Sequence, residues 1–172
     1  MSTERHLALY CDLHGHSRRK NIFMYGNNQY EDDEASRIFP FLMSKLAQPN
    51  FSYDYSRFNS CRTKEHTARI AMWRDLGSKH SNIFTMEASF CGPKYTKFEP
   101  HRGNKKGPGA SELNYHFNTQ DLTSAGLHLC QALLQYREEK DSKMGLLNVQ
   151  YQVQQYHIEK EAKLEQEELI RQ

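Results

Sequence analysis

The run Leu7-Ala8-Leu9-Tyr10-Cys11-Asp12-Leu13 gives way abruptly to His14-Gly15-His16-Ser17. A short continuous apolar run that turns polar predicts a buried strand with a polar loop at its C-terminal end. A buried strand needs neighbours on both sides, and little chain precedes residue 7 to supply them. The β-rich run Asn82-Ile83-Phe84-Thr85-Met86-Glu87-Ala88-Ser89-Phe90 is a second core strand candidate. If residues 7–13 and 82–88 are parallel neighbours, their C-terminal ends share one sheet edge. Ligand sites of open α/β sheets form at that edge, which would place His14 near Glu87.

The chain between and after these runs alternates strand and helix signals, which argues an α/β fold. Residues 21–28 (NIFMYGNN) are an apolar burst closed by a Gly-Asn turn. Acids at residues 31–34 suit a helix N-terminus. Ile38, Phe41, Leu42 and Leu46 follow at helical spacing, with Pro40 expected to kink or restart the helix and Pro49 to stop it. Residues 51–61 read as a loop or weak strand. A helix is expected over residues 65–76, with Ile70, Trp73 and Leu76 or Ala71 inward, ended by Gly77. Residues 92–110 form a basic loop, read first as a solvated insertion, with steering of an acidic tail as the alternative. Thr119 is the expected N-cap of a helix to about residue 138, with Asp121 in its first turn. Its inward face would be Leu122, Ala125, Leu129, Ala132, Leu133 and Tyr136. Residues 1–140 thus form one domain. Residues 141–172 are a charged, Gln- and Glu-rich tail, helical or disordered. Its stripe of Leu146, Val149, Val153 and Tyr156 fails at Lys160 and Lys163, so a fraying, solvated helix is expected.

Composition narrows the function classes. With 23 Lys+Arg against 21 Asp+Glu in 172 residues, the net charge is +2, which argues against a nucleic-acid-coating protein. No apolar run approaches the length of a membrane span, and the first residues carry no signal peptide pattern. The four cysteines Cys11, Cys61, Cys91 and Cys130 are widely spaced. They are expected to be reduced, in a cytoplasmic protein.

Two constellations carry chemistry. Asp12-Leu13-His14-Gly15-His16 holds imidazoles that suit a metal, with Asp12 able to orient a ring from behind. Two loop histidines and a capping Asp would have the same sequence. Glu87 lies within an apolar strand run, and alternation puts it on the face of Thr85 and Ser89, opposite Phe84, Met86 and Phe90. A buried carboxylate needs a metal or a partner, and beside a metal-bound water it can act as general base. A Glu at a solvent-facing strand position is the competing reading.

The blocks DLHGHSRRKNIFMYGN, TARIAMWR, FTMEASFCG and HFNTQDLTSAGLHLCQALL, in this order, resemble the cytosolic, deglutamylating zinc metallocarboxypeptidases of the carboxypeptidase A superfamily. The resemblance covers residues 7 to about 137. It implies the C-terminal half of a catalytic domain, a partial carboxypeptidase fold with a mixed sheet flanked by helices and upstream strands missing. It implies hydrolysis of C-terminal residues, notably glutamate, from peptides or tubulin tails. It also implies zinc, with His14 as the third ligand and Glu87 as general base and then acid. Arg69 of the TAR block matches a basic position facing the substrate side chain, where a guanidinium would pair with a glutamate carboxylate; an arginine on the helix surface is the competing reading. His16, like Asp12, would support the site.

The departures from that family matter equally. Its first two zinc ligands come from H-x-x-E, and no histidine here has Glu three residues later. The Arg and Asn-Arg elements that hold the substrate's terminal carboxylate have no counterpart. Residues 61–64 look shortened and residues 77–82 lengthened. Catalytic zinc needs three protein ligands plus water, so a single inherited ligand leaves activity of these residues alone in question. A second reading is therefore an inactive binding module for acidic tails, using Arg69 and Lys64. A third treats D-x-H-x-H as a strand-end motif of an amidohydrolase-like barrel, an architecture of about 250 residues. With strands missing, the run at residues 7–13 would be an open edge and an aggregation hazard.

Overall fold

The structure is a computed structural model and describes residues 7–28, 34–59, 66–76, 82–94 and 116–171. Among the described residues, three strands, β1 (Tyr10–His16), β2 (Ile22–Tyr25) and β3 (Ile83–Ser89), accompany four helices, α1 (Ala35–Leu46), α2 (Ala68–Leu76), α3 (Thr119–Asp141) and α4 (Gly145–Arg171). A 3-10 turn covers Tyr53–Tyr55. The sheet order is β1-β3-β2. β1 runs parallel to β3, as the paired runs predicted, and β2 runs antiparallel to it. This is a mixed α/β sheet, and its antiparallel third strand disposes of the barrel reading.

β3 is central because its run is apolar enough to be covered on both faces: Ile83, Phe84, Thr85, Met86 and Glu87 are all buried. The first run behaves differently from expectation. The strand begins at Tyr10 and carries His14, Gly15 and His16 within it, paired through to Ser89. It is half-buried to exposed rather than buried. The pairing with β3 extends it past the apolar residues. Among the described residues nothing pairs with its other edge, and Leu13 is 64% exposed.

One face of the sheet builds the core. Ile22 and Met24 of β2 and Phe84 and Met86 of β3 share a cluster with Ile38, Phe39, Phe41, Leu42 and Met43 of α1. Phe39 stacks on Phe84 with ring centres 5.5 Å apart. Pro40 neither breaks nor restarts α1. It removes one helical hydrogen bond, but Phe39, Pro40 and Phe41 are all buried, and packing holds the helix through it. α3 lies against α1, with Ala125 and Ala132 buried in the shared core.

The capping residue of α3 is Asn118, not Thr119. Its Oδ1 accepts from the Asp121 amide at 3.0 Å, and Asp121 Oδ2 accepts from the Asn118 amide at 3.0 Å. Asn caps as well as Thr does, and Asp121 at the third helical position completes the reciprocal pair. Leu122, expected inside, is exposed. In α2 only Arg69 and Ile70 are buried, and Trp73 and Leu76 are half-buried.

The expected solvated tail packs instead. Val149 and Val153 of α4 are buried in the core, with Leu146 and Tyr156 against it. Tyr156 Oη donates to Asp54 Oδ1 at 2.9 Å, and Lys160 Nζ reaches the same oxygen. Past Lys160 the stripe has ended and the helix is largely exposed. No helix among the described residues is long and apolar enough to cross a membrane. Cys11, Cys91 and Cys130 are free.

Candidate functional site

Alternation along the strands decides what the second face of the sheet carries. Register sets His14 opposite Glu87 and Asp12 opposite Thr85 on β1 and β3, and Phe23 opposite Glu87 and Tyr25 opposite Thr85 on β2 and β3. His14, Glu87 and Phe23 therefore stand in one row across the sheet. α2 packs over β1 and β3 on this side. Asp12, His14, Tyr25, Thr67, Ala68, Arg69, Thr85 and Glu87 enclose a pocket of about 280 Å³. The expected neighbours His14 and Glu87 are thus brought together, and Arg69 joins them.

Each predicted residue has a definite surrounding. The Asp12 carboxylate lies 3.3 Å from His14 Nδ1, the orienting contact expected of it, and the His14 side chain is 55% exposed. Glu87 is buried rather than solvent-facing, at 8% exposure. Its Oε2 lies 3.7 Å from His16 Nδ1, and His16 packs edge-on against Phe23 with ring centres 5.0 Å apart. His16 Nε2 is buried without a hydrogen-bond partner. His16 thus sits beside Glu87, outside the pocket lining.

Arg69 is not a helix-surface arginine. It is 3% exposed, and its Nη1 donates to the Gly26 carbonyl and to Asn27 Oδ1. A Cβ at Gly26 would stand 2.7 Å from the buried Phe58 ring, so this position admits the close approach only as glycine. Burial lowers the guanidinium's pKa below its ordinary value. Among the described residues no carboxylate forms an ion pair with it. A buried cation held by neutral acceptors is costly and is partly relieved by an anion entering the pocket.

The zinc expectation meets a limit here. Among the described residues no group of three or more His, Cys, Asp or Glu is placed to hold a metal. His14 has Asp12 at its ring, and Glu87 has His16. That donor set does not fit the three-ligand site catalytic zinc requires. Lys64, the altered stretches at residues 61–64 and 77–81, and most of the basic loop lie outside the described residues.

Tyr25, Thr67 and Thr85 complete the lining. Alternation had already put Thr85 on the face of Glu87. Tyr25 was missed, because the antiparallel pairing that turns it to this face depends on a partner sixty residues away in the chain, at Thr85.

No family model matches the chain. Cytosolic carboxypeptidase 3 of Bos taurus is 42% identical over 144 residues, covering 81% of this chain and 13% of that protein. Cytosolic carboxypeptidase 2 of Danio rerio is 40% identical over 144 residues, covering 82% and 18%. Cytosolic carboxypeptidase 1 of Danio rerio is 33% identical over 151 residues, covering 79% and 12%. The chain therefore spans under a fifth of the length of these relatives and resembles one segment of them. A crystal structure of a metallo-carboxypeptidase from Burkholderia cenocepacia aligns with a TM-score of 0.47 at 14% identity, over 73% of this chain and 29% of that one.

Proposed function

We propose, for a chain that resembles one segment of the cytosolic carboxypeptidases, that its pocket receives the acidic C-terminal residue of a peptide. The observation that carries this is Arg69, a buried guanidinium without a carboxylate partner among the described residues, lining one pocket with Glu87 and His14. A glutamate side chain entering the pocket would meet a planar, charged donor already fixed by Gly26 and Asn27. Thr67, Tyr25 and Thr85 offer hydroxyls around it.

In the full carboxypeptidase reading, the protein acts in the cytoplasm and removes C-terminal glutamate from peptides or tubulin tails. Glu87 is then the proton-handling carboxylate beside the scissile bond, kept in place by His16. His14, oriented by Asp12, would be one ligand of a zinc whose other ligands the described residues do not supply, and zinc so held would activate water and polarise the carbonyl. Since the described residues do not make that site, no hydrolytic step is assigned to them alone. Their own contribution is recognition and a buried base, which equally describes a binding module for acidic tails.

A release assay separates the two readings. The 172-residue chain is incubated with a glutamate-ended peptide, and both bound peptide and free glutamate are measured. Binding without release is expected, and release of glutamate would contradict the ligand count. Mass spectrometry of the native protein, captured through a C-terminal tag, then decides the larger role. Peptides preceding Met1 that contain H-x-x-E would support the carboxypeptidase. A native N-terminus at Met1 would leave the binding module.

A further inference from the structure

The helix α4 is apolar on two sides, and the core uses one of them. Val149 and Val153 are buried in the core. At about 100° per residue, Leu147, Tyr151, Ile158, Ala162 and Leu169 fall within about 60° of one another on the opposite side. All five are exposed. Leu147, Ile158 and Leu169 recur every eleven residues, as Tyr151 and Ala162 do. That period is about 3.67 residues per turn, so the stripe keeps to one side along the helix. From Leu147 to Leu169 it runs about 33 Å. The helix takes no part in lining the pocket.

The ends and centre of this stripe are symmetric, with Leu147 and Leu169 eleven residues to either side of Ile158. The charge is not symmetric. Residues 145–156 hold no charged side chain, whereas residues 157–171 hold five Glu against two Lys and one Arg. A parallel copy would set the acidic half beside itself. An antiparallel copy centred on Ile158 sets it beside the uncharged half instead. Glu161 then meets the partner subunit's Gln154, and Glu168 meets the partner subunit's Gln150. Glu165, the one acid within the stripe, meets the partner subunit's Tyr151, whose hydroxyl can donate to it. The two helix dipoles also oppose each other in this arrangement. The same excess of Glu argues against an anionic lipid surface, which calls for basic flanks.

We propose that the outer face of α4 pairs with the same face of a second copy of this chain, antiparallel about a two-fold axis at Ile158.

The test is analytical ultracentrifugation of the full chain carrying Leu13→Lys, introduced to suppress pairing through the open edge of β1. A monomer–dimer equilibrium is expected. Ile158→Lys buries a charge at the axis and is expected to weaken the dimer by roughly tenfold or more, with an unchanged near-UV circular dichroism spectrum. Gln154→Lys places a cation against Glu161 on both sides of the axis and is expected to strengthen the dimer about two- to tenfold. A parallel pair would gain nothing from that substitution. A monomer at every concentration would overturn the proposal. So would a dimer that Ile158→Lys leaves intact, or one that Gln154→Lys fails to strengthen.

Discussion

At the scale of single residues, burial decides which groups are chemically available. Cys11 shows this outside the site. Burial pushes its thiol up to about 12, outweighing a hydrogen bond from the Met86 backbone that lowers it, and the nearby Asp12 charge adds a smaller upward push. Cys91 and Cys130 are exposed. Alkylation at pH 8, mapped by mass spectrometry, is expected to label Cys91 and Cys130 quickly and Cys11 only after denaturation. Rapid labelling of Cys11 in the native chain would contradict its packing against the core. The residue-scale chemistry was partly legible beforehand. The alternation of Thr85, Glu87 and Ser89 put Glu87 on the site face, and the strand pairing put His14 beside it. The burial of Arg69 was not legible. α2 has an ordinary polar sequence, and only the carbonyl of Gly26 and the amide of Asn27, brought from β2's end, show why an arginine turns inward there.

At the scale of elements, the departure from expectation is α4. Its stripe of Leu146, Val149, Val153 and Tyr156 was visible, but a stripe so short does not reveal whether anything covers it. The 3-10 turn does: Tyr53, Asp54 and α1 receive the helix. The dock is titratable. Burial lowers the pKa of His157 below its ordinary 6.5, and the charges of Arg37 and Lys160 add to this against Glu34 and Glu161. His157 Nε2 lies 3.3 Å from both Tyr53 Oη and Arg37 Nη1. The unfolded chain therefore takes up this proton before the folded one does. The contribution is complete above 6.5 and is lost as pH falls from there through the lower folded value. For Asp54, burial raises the pKa, but hydrogen bonds from Lys160 and Tyr156 outweigh it and hold the carboxyl below 3.8. Its contribution persists until pH drops below 3.8. Acid loosening of α4 is thus expected in two steps, His157 first. Thermal melting between pH 7.5 and 5 should show a falling Tm that His157→Gln flattens. An unchanged Tm over that range in the wild type would contradict the assignment.

At the scale of the whole molecule, a three-stranded sheet carries helices on both faces and a pocket on one. The alternation of strand and helix signals made the α/β class legible, while the exposure of β1 was not. A continuous apolar run reads as buried, yet among the described residues β1 is an edge strand, with Leu13 64% exposed and Leu7, ahead of the strand, 42% exposed. Open apolar edges pair with other chains. Concentration-dependent self-association is expected in analytical ultracentrifugation, and Leu13→Lys should reduce it without changing peptide binding. A monodisperse monomer at all concentrations would contradict that role for the edge.

The central claim is that the Arg69 pocket recognises a terminal carboxylate side chain. Its most direct test is the Kd of a peptide ending in Glu against the same peptide ending in Gln, for the wild type and for Arg69→Gln. The account predicts that the wild type favours Glu by roughly tenfold or more, as expected for a hydrogen-bonded charge pair. Arg69→Gln should bring the two affinities together. Equal affinities in the wild type, or a preference that survives Arg69→Gln, would contradict it.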